Sequence, residues 1–266
     1  MKNSLNSNNA KKLFGAHLSV SDIKNIQTII ELCQITAIQI FISSPRSFNP
    51  AISETSKKNI DIIINELKLA ASVHMPYLVN FASCDEELRK KSVSQVIYGI
   101  KASSDLGVKH YVAHPGSGVY DNLKRSIDEV LDGIDGASAE FLIENTEGSG
   151  KKLISTEKEA LKLIGDYNGK IGICWDTAHA YGAGVDTSNL SAKLISHIKL
   201  VHLNDSSQAV EFGSKKDRHA GFFEGRIGPE KITDFINSLG HEKTYIIERE
   251  GFENTCRDLI FIKETL

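Results

Sequence analysis

The chain of 266 residues is 41% hydrophobic and carries a formal net charge of −3. That length supports one sizeable core, and α/β barrels commonly fill it as a single domain. The acidic balance counts against a simple electrostatic nucleic-acid binder, and no apolar run reaches the roughly 18 residues of a membrane span.

The first segment, "MKNSLNSNNAKK" (1–12), is polar and has no apolar signal-like stretch, so it reads as a disordered tail ahead of a domain over 13–266. Cys33, Cys84, Cys174 and Cys256 form no CxxC, which suggests a reduced intracellular protein, cytoplasmic if prokaryotic. With no heptads and no obvious apolar patch in the sequence, a monomer is the default.

From residue 13 onward, short β-branched runs recur near 13–18, 37–43, 70–75, 110–114, 140–145, 171–176, 198–204 and 243–248. Helical segments lie between them. "SETSKKNIDIIINELKLA" is one; another is "DEELRKKSVSQVIYGIKASSDLG", with Asp85 placed to cap its start and Gly107 its end. Alternating strands and helices imply parallel βαβ units. Continuous rather than alternating apolar runs suit strands covered on both faces. Eight units predict a single-domain (β/α)8 TIM barrel. An open doubly wound sheet is the alternative, but no GxGxxG follows the first strand.

The strand ends carry the chemistry. In order they offer His17, then the second strand's "FISSPRSF" with no acid or imidazole, then His74, His114, Glu144 with Asn145, Asp176 with His179, His202 with Asn204 and Asp205, and Glu248. A barrel gathers these ends on one face. So many carboxylates and imidazoles on one rim need a counter-charge, and their mixture is one that zinc accepts. "KKDRHAGFFEGRIG" (215–228) adds Asp217 and His219, which beside His179 make a further Asp/His/His group. His110, His197 and His241 stand at or before strand starts and read as structural or exposed. Arg89, Lys90 and Lys91 read as a solvated helix face. "HPGSG" and "EGSGKK" are read as turns, since neither matches a P-loop, and no GxSxG is present.

Taken together, "GAHLS", "HMPYLVN", "AHPGS", "IENTEGSG", "CWDTAH", "VHLNDS", "DRHAGFFEGRIG" and "IIERE" resemble the endonuclease IV family, from Phe14 to the last helix and in the family's order. These are zinc-dependent apurinic/apyrimidinic (AP) endonucleases of base-excision repair, built on xylose isomerase-like barrels. The resemblance implies three zinc ions, with manganese or another divalent ion as a possible substitute. His74, His114 and Glu144 would hold the first. Glu144, Asp176, His202 and Glu248 would surround the second, and His179, Asp217 and His219 the third. His17 lies near the site with no role assigned.

The implied reaction hydrolyses the phosphodiester 5′ to an abasic site, leaving a 3′-hydroxyl and a 5′-deoxyribose phosphate, and removes 3′-blocking groups. A metal-bridging hydroxide would attack, with Glu144 and Glu248 as catalytic carboxylates. The implied partner is double-stranded DNA with abasic sites or 3′-blocked ends. Three zinc ions would turn the net charge positive. Lys215, Lys216, Arg218 and Arg226 would touch phosphates, and Arg46, Tyr77 and Leu78 would enter the base stack at the lesion.

The sequence departs from the family's pattern at four places. "HLSVSDIKN" lacks a glycine pair, Phe48 replaces a common tryptophan, Phe223 a usual glycine and Arg249 a typical threonine. Rival readings are a metal-dependent sugar isomerase or epimerase, which needs fewer metals, and a non-catalytic module that binds abasic DNA.

Overall fold

In the computed structural model, residues 12–20, 23–49, 51–240, 243–249 and 251–265 are described. Residues 1–11 of the expected tail, and His241, lie outside that range. The chain runs β1 (Leu13–His17), α1 (Ile23–Cys33), β2 (Ala37–Ile40), α2 (Glu54–Asp61), β3 (Ala70–His74), α3 (Glu86–Asp105), β4 (His110–Ala113), α4 (Tyr120–Gly133), β5 (Glu140–Glu144), α5 (Glu157–Tyr167), β6 (Gly172–Asp176), α6 (Thr177–Ala183), α7 (Ala192–His197) and β7 (Ile198–His202). A short antiparallel pair, β8 (Asp205–Ser206) and β9 (His219–Ala220), follows, then α8 (Pro229–Ser238), β10 (Thr244–Ile247) and α9 (Phe252–Thr265).

Eight parallel strands close in the order β1-β10-β7-β6-β5-β4-β3-β2, a TIM barrel. Closure depends on β1, which pairs with β10 on one side and β2 on the other. At this seam a Cβ on Gly15 would run into the carbonyl of Ala37, so only glycine fits there.

Strand residues alternate between two environments. Ala37, Val112, Leu142, Cys174, Leu200 and Ile246 meet inside the barrel as a fully buried apolar floor. The alternate residues, among them Ile38, Val73, Tyr111, Ile143, Trp175, Val201 and Tyr245, face the helices and build the larger core. A period of two puts the next inward side chain two positions along each strand. Those positions are Gln39, His114, Glu144, Asp176, His202 and Glu248, and the same parity runs from Gly15 to His17 and from Ser72 to His74. The ring of chemical groups therefore sits directly on the apolar floor.

Asp85 caps α3, accepting from the amides of Glu87 and Leu88, and Gly107 leaves the helix at φ +75°. The expected solvated face needs correction at Arg89. Lys90 and Lys91 are exposed, but Arg89 is fully buried. Its guanidinium donates to Glu86 and Glu129 at 2.8 Å and to Ser126 at 3.1 Å, tying α3 to α4. A buried arginine is tolerated only with such partners, and they come from a helix that the local charge pattern does not reveal.

The cysteines also need correction. Cys33 and Cys256, 223 positions apart, form a disulfide between α1 and α9 with Cα atoms 5.6 Å apart. Barrel closure brings the first and last helices together, a proximity that spacing along the chain conceals. Beside the disulfide Leu32, Phe223 and Ile260 are exposed, an apolar patch assembled from three distant segments. Among the described residues no helix is long and apolar enough to cross a membrane.

His110 opens β4 and is buried; His197 closes α7 and is half-buried. Burial, helped by Lys109 and Lys199, pushes the His110 pKa down to about 3. An unfolded chain would take up a proton there below pH 6.5, whereas the folded chain refuses it until about pH 3. Stability from this residue is thus complete above pH 6.5 and lost as pH falls, by about 2 kcal/mol at pH 5. Thermal unfolding followed by circular dichroism should show a shallower loss between pH 7 and pH 5 in His110→Gln than in the parent; equal losses would refute the assignment.

Candidate metal centre

The rim is organised around Glu144, at the end of β5 and buried. Its Oε2 lies 3.3 Å from His74 Nε2 and 3.1 Å from His114 Nε2. Its Oε1 lies 3.0 Å from His202 Nδ1 and 3.3 Å from His179 Nδ1. Burial alone would raise this carboxyl's pKa; the surrounding imidazoles, led by His114 and His202, reverse that and hold it well below the usual carboxylate range. Glu248 behaves alike, lowered chiefly by His202 and His17 against the effect of burial. Its Oε1 is 3.0 Å from His17 Nδ1, and its Oε2 is 3.2 Å from His202 Nδ1.

Asp176 ends β6 and caps α6, accepting from the His179 amide at 2.6 Å. One turn of helix thereby sets His179 beside it. The β8–β9 pair folds the next loop back over the barrel and delivers the third group. Asp217 lies 3.3 Å from His179 Nε2 and 3.4 Å from His219 Nε2, which is 3.6 Å from Asp176. Burial raises the Asp217 pKa, but His179 and then His219 bring it down to about 2.

The histidine hydrogen bonds decide what these contacts mean. His74 Nδ1 donates to the Met75 carbonyl at 2.7 Å, His179 Nδ1 to the Asn145 carbonyl at 2.9 Å, and His219 Nδ1 to the Glu248 carbonyl at 3.1 Å. A carbonyl accepts only, so each ring carries its proton on Nδ1. In the neutral ring Nε2 is then an acceptor, aimed at carboxylates that also only accept. That opposition is relieved by a proton on Nε2, which the carboxylates favour at His179 by raising its pKa against the effect of burial, or by a metal cation in the proton's place. His219 Nε2 is buried without a hydrogen-bond partner.

The donor set therefore fits metal. Three groups bring their ligand atoms within 4.8 Å: His74, His114 and Glu144; Glu144, Asp176, His202 and Glu248; and Asp176, His179 and His219. Glu144 is shared by the first two and Asp176 by the last two, with Asp217 against the third. Cys174 also lies near Glu144 and His202, and burial pushes its thiol up to about 12.

The structure thus draws the nine candidate ligands and His17 into one cluster opening to a cavity of about 1400 Å³. Tyr77 and Arg218 line that cavity. Tyr77 and Leu78 stand exposed at the rim, with Tyr77 edge-on to Phe41, itself packed against His17 and His74. Arg46, Lys215, Lys216 and Arg226 are exposed and do not line the cavity. Arg226 spends its Nε and Nη2 hydrogens on the Gln208 carbonyl. The two departures Phe223 and Arg249 belong to one arrangement. Arg249 bonds both Glu224, next to Phe223, and Asp258 of α9, while Arg257 also holds Glu224.

Sequence reading missed Gln39, which lies on the strand that seemed to offer nothing; a polar residue at an inward position of "AIQIFIS" was the available signal. It also gave no role to Asn204, whose Nδ2 donates to Asp176 at 2.7 Å and whose Oδ1 accepts from the Glu248 amide at 2.9 Å.

Residues 30–264 match the model of the xylose isomerase-like TIM barrel family. "Endonuclease 4" of Thermus thermophilus is 31% identical over 251 residues, spanning 88% of this chain and 91% of the relative. The chain belongs to the endonuclease IV family. "Probable endonuclease 4" of a Sulfurihydrogenibium species is 32% identical over 265 residues, spanning 89% and 93%. The crystal structure of an endonuclease IV from Thermus thermophilus superposes with a TM-score of 0.83 at 29% identity, covering 95% of this chain and 98% of that one. A D-tagatose 3-epimerase-like protein, at 20% identity and a TM-score of 0.77, shares the fold alone. Membership of the endonuclease IV family makes this chain a DNA-cleaving hydrolase.

Adding zinc to metal-stripped protein should raise the thermal midpoint, since a ligand bound only by the folded state stabilises by about 2.7 kcal/mol at one hundred times its Kd. The increment should shrink in His219→Ala. No shift with zinc, manganese or cobalt would contradict a metal centre.

Proposed function

We propose that this protein is a zinc-dependent AP endonuclease of base-excision repair. It hydrolyses the phosphodiester 5′ to an abasic site, leaving a 3′-hydroxyl and a 5′-deoxyribose phosphate, and removes 3′-blocking groups. The observation that carries the reading is the buried Glu144 carboxylate met by four imidazoles, in a chain of the endonuclease IV family. Three ions are assigned: one to His74, His114 and Glu144, one to Glu144, Asp176, His202 and Glu248, and one to His179, Asp217 and His219. Zinc in these places supplies Lewis acidity toward phosphoryl oxygens and eases the ionisation of water near neutral pH.

The chain's own residues do the rest. Glu248 stays ionised and lines the cavity, which suits a carboxylate that accepts a hydrogen bond from the attacking water and orients it; its role in taking the proton is assigned from the family resemblance. Glu144 keeps the two neighbouring metal groups in fixed relation. The apolar floor excludes water from below, so charge on the rim is poorly screened. Exposed Tyr77 and Leu78 are placed to fill the gap left by a missing base, with Arg46 beside them in the preceding loop, and Arg218 to contact a phosphate. Lys215, Lys216 and Arg226 would then act at longer range on the duplex. The endonuclease domain is assigned to 13–266, with 1–12 as a tail, in a monomeric intracellular enzyme.

The deciding experiment is incision of a duplex with one tetrahydrofuran abasic analogue by zinc-loaded protein. The analogue resists β-elimination, so a lyase leaves it intact. The expected product is a single cut on its 5′ side with an extendable 3′-hydroxyl. No cut by fully loaded protein would overturn the reading and bring forward a sugar epimerase, for which a metal titration saturating at one or two ions would be the companion result. Glu248→Gln should lower kcat by roughly 10²- to 10⁴-fold, the usual contribution of a positioned base.

A further inference from the structure

Gln39 lies on β2, level with His17 on β1 and two residues beyond the floor residue Ala37, and it is fully buried. Its amide makes the connections that an empty second strand would leave unmade. Nε2 donates to Glu248 Oε1 at 2.7 Å and lies 3.1 Å from His17 Nδ1. Oε1 accepts from His202 Nε2 at 2.9 Å. The direction of the amide is fixed by chemistry. Glu248 only accepts, so the amide nitrogen must face it, and the carbonyl oxygen must face His202.

This has a consequence for His202. An amide oxygen cannot donate, so Nε2 of His202 carries a proton. Its Nδ1 is left facing Glu144 at 3.0 Å and Glu248 at 3.2 Å, the atom that would hold an ion once deprotonated. His74, His179 and His219 have the opposite arrangement: backbone carbonyls hold Nδ1, and Nε2 faces the carboxylates. For His202 a side chain from another strand does the work that main chain does for the others. We propose that Gln39 is a positioning residue of the metal centre, fixing the His202 tautomer and clamping Glu248 in one orientation for the ion they share. The proposal rests on the metal-centre reading above.

A partner that orients a metal-bound histidine typically contributes roughly 10- to 100-fold in metal affinity or activity. Gln39→Met keeps the bulk of the side chain and removes both hydrogen bonds. Three measurements test it on the full chain. Zinc competition against a chromophoric chelator should show one ion held roughly 10- to 100-fold more weakly in the variant. The cobalt-substituted visible spectrum should change. Incision of the abasic duplex should lose kcat with KM unchanged, because Gln39 is buried away from DNA. Equal zinc affinity and an unchanged cobalt spectrum would overturn the proposal.

If Gln39→Met does not fold, nitrogen-15 imidazole shifts in the zinc-loaded parent still decide it. The His202 proton must be on Nε2, and a proton on Nδ1 would overturn the assignment. Parent protein that takes up no zinc would instead sink the metal-centre reading, so the two failures are distinct.

Discussion

A buried carboxylate in contact with four imidazoles is the constraint from which the rest of this structure follows. Glu144 is cut off from water, and burying a charge is costly unless it is paired. Its pairing partners arrive from β3, β4, β7 and the start of α6. Only a closed parallel sheet brings the ends of so many strands to one point without crossing connections. The barrel is thus less a container for the site than the means of neutralising its central charge.

The histidines show how such a cluster keeps one arrangement. A free imidazole has two tautomers and rotates. Here one nitrogen of His74, His179, His202 and His219 is committed to an oxygen that can only accept, so the other nitrogen has a fixed role. Asn204 and Gln39 do the same for the carboxylates by donating to Asp176 and Glu248. Every one of these restraints is drawn from strand ends or from backbone that the barrel already holds rigid.

Much of this was legible in the sequence, for a physical reason. Strands covered on both faces must be short apolar runs, so "AIQIFIS" or "EFLIENT" announces itself, and a polar ending to such a run is conspicuous. Asp176, Glu144 and the histidines were found that way. Gln39 escaped because it interrupts an apolar run from within, where its inward direction depends on register. The Cys33–Cys256 pair escaped because its halves lie on different helices, and Arg89 because Glu129 and Ser126, which complete its burial alongside Glu86 of its own helix, lie on α4. The loop carrying Asp217 and His219 was legible in its residue types, but its path depends on the β8–β9 pairing and on Asp205. That carboxylate accepts from the amides of Ser206, Ile227 and Gly228, bonds that offset only part of its burial cost and leave its pKa at about 6.

The apolar floor has one further effect. Ala37, Val112, Leu142, Cys174, Leu200 and Ile246 seal the barrel beneath the ring, so the site is a blind pit with a single mouth. Water and reactant reach the ring from that opening, and so would any ion held there. A molecule lying across the mouth would therefore control access to everything beneath it.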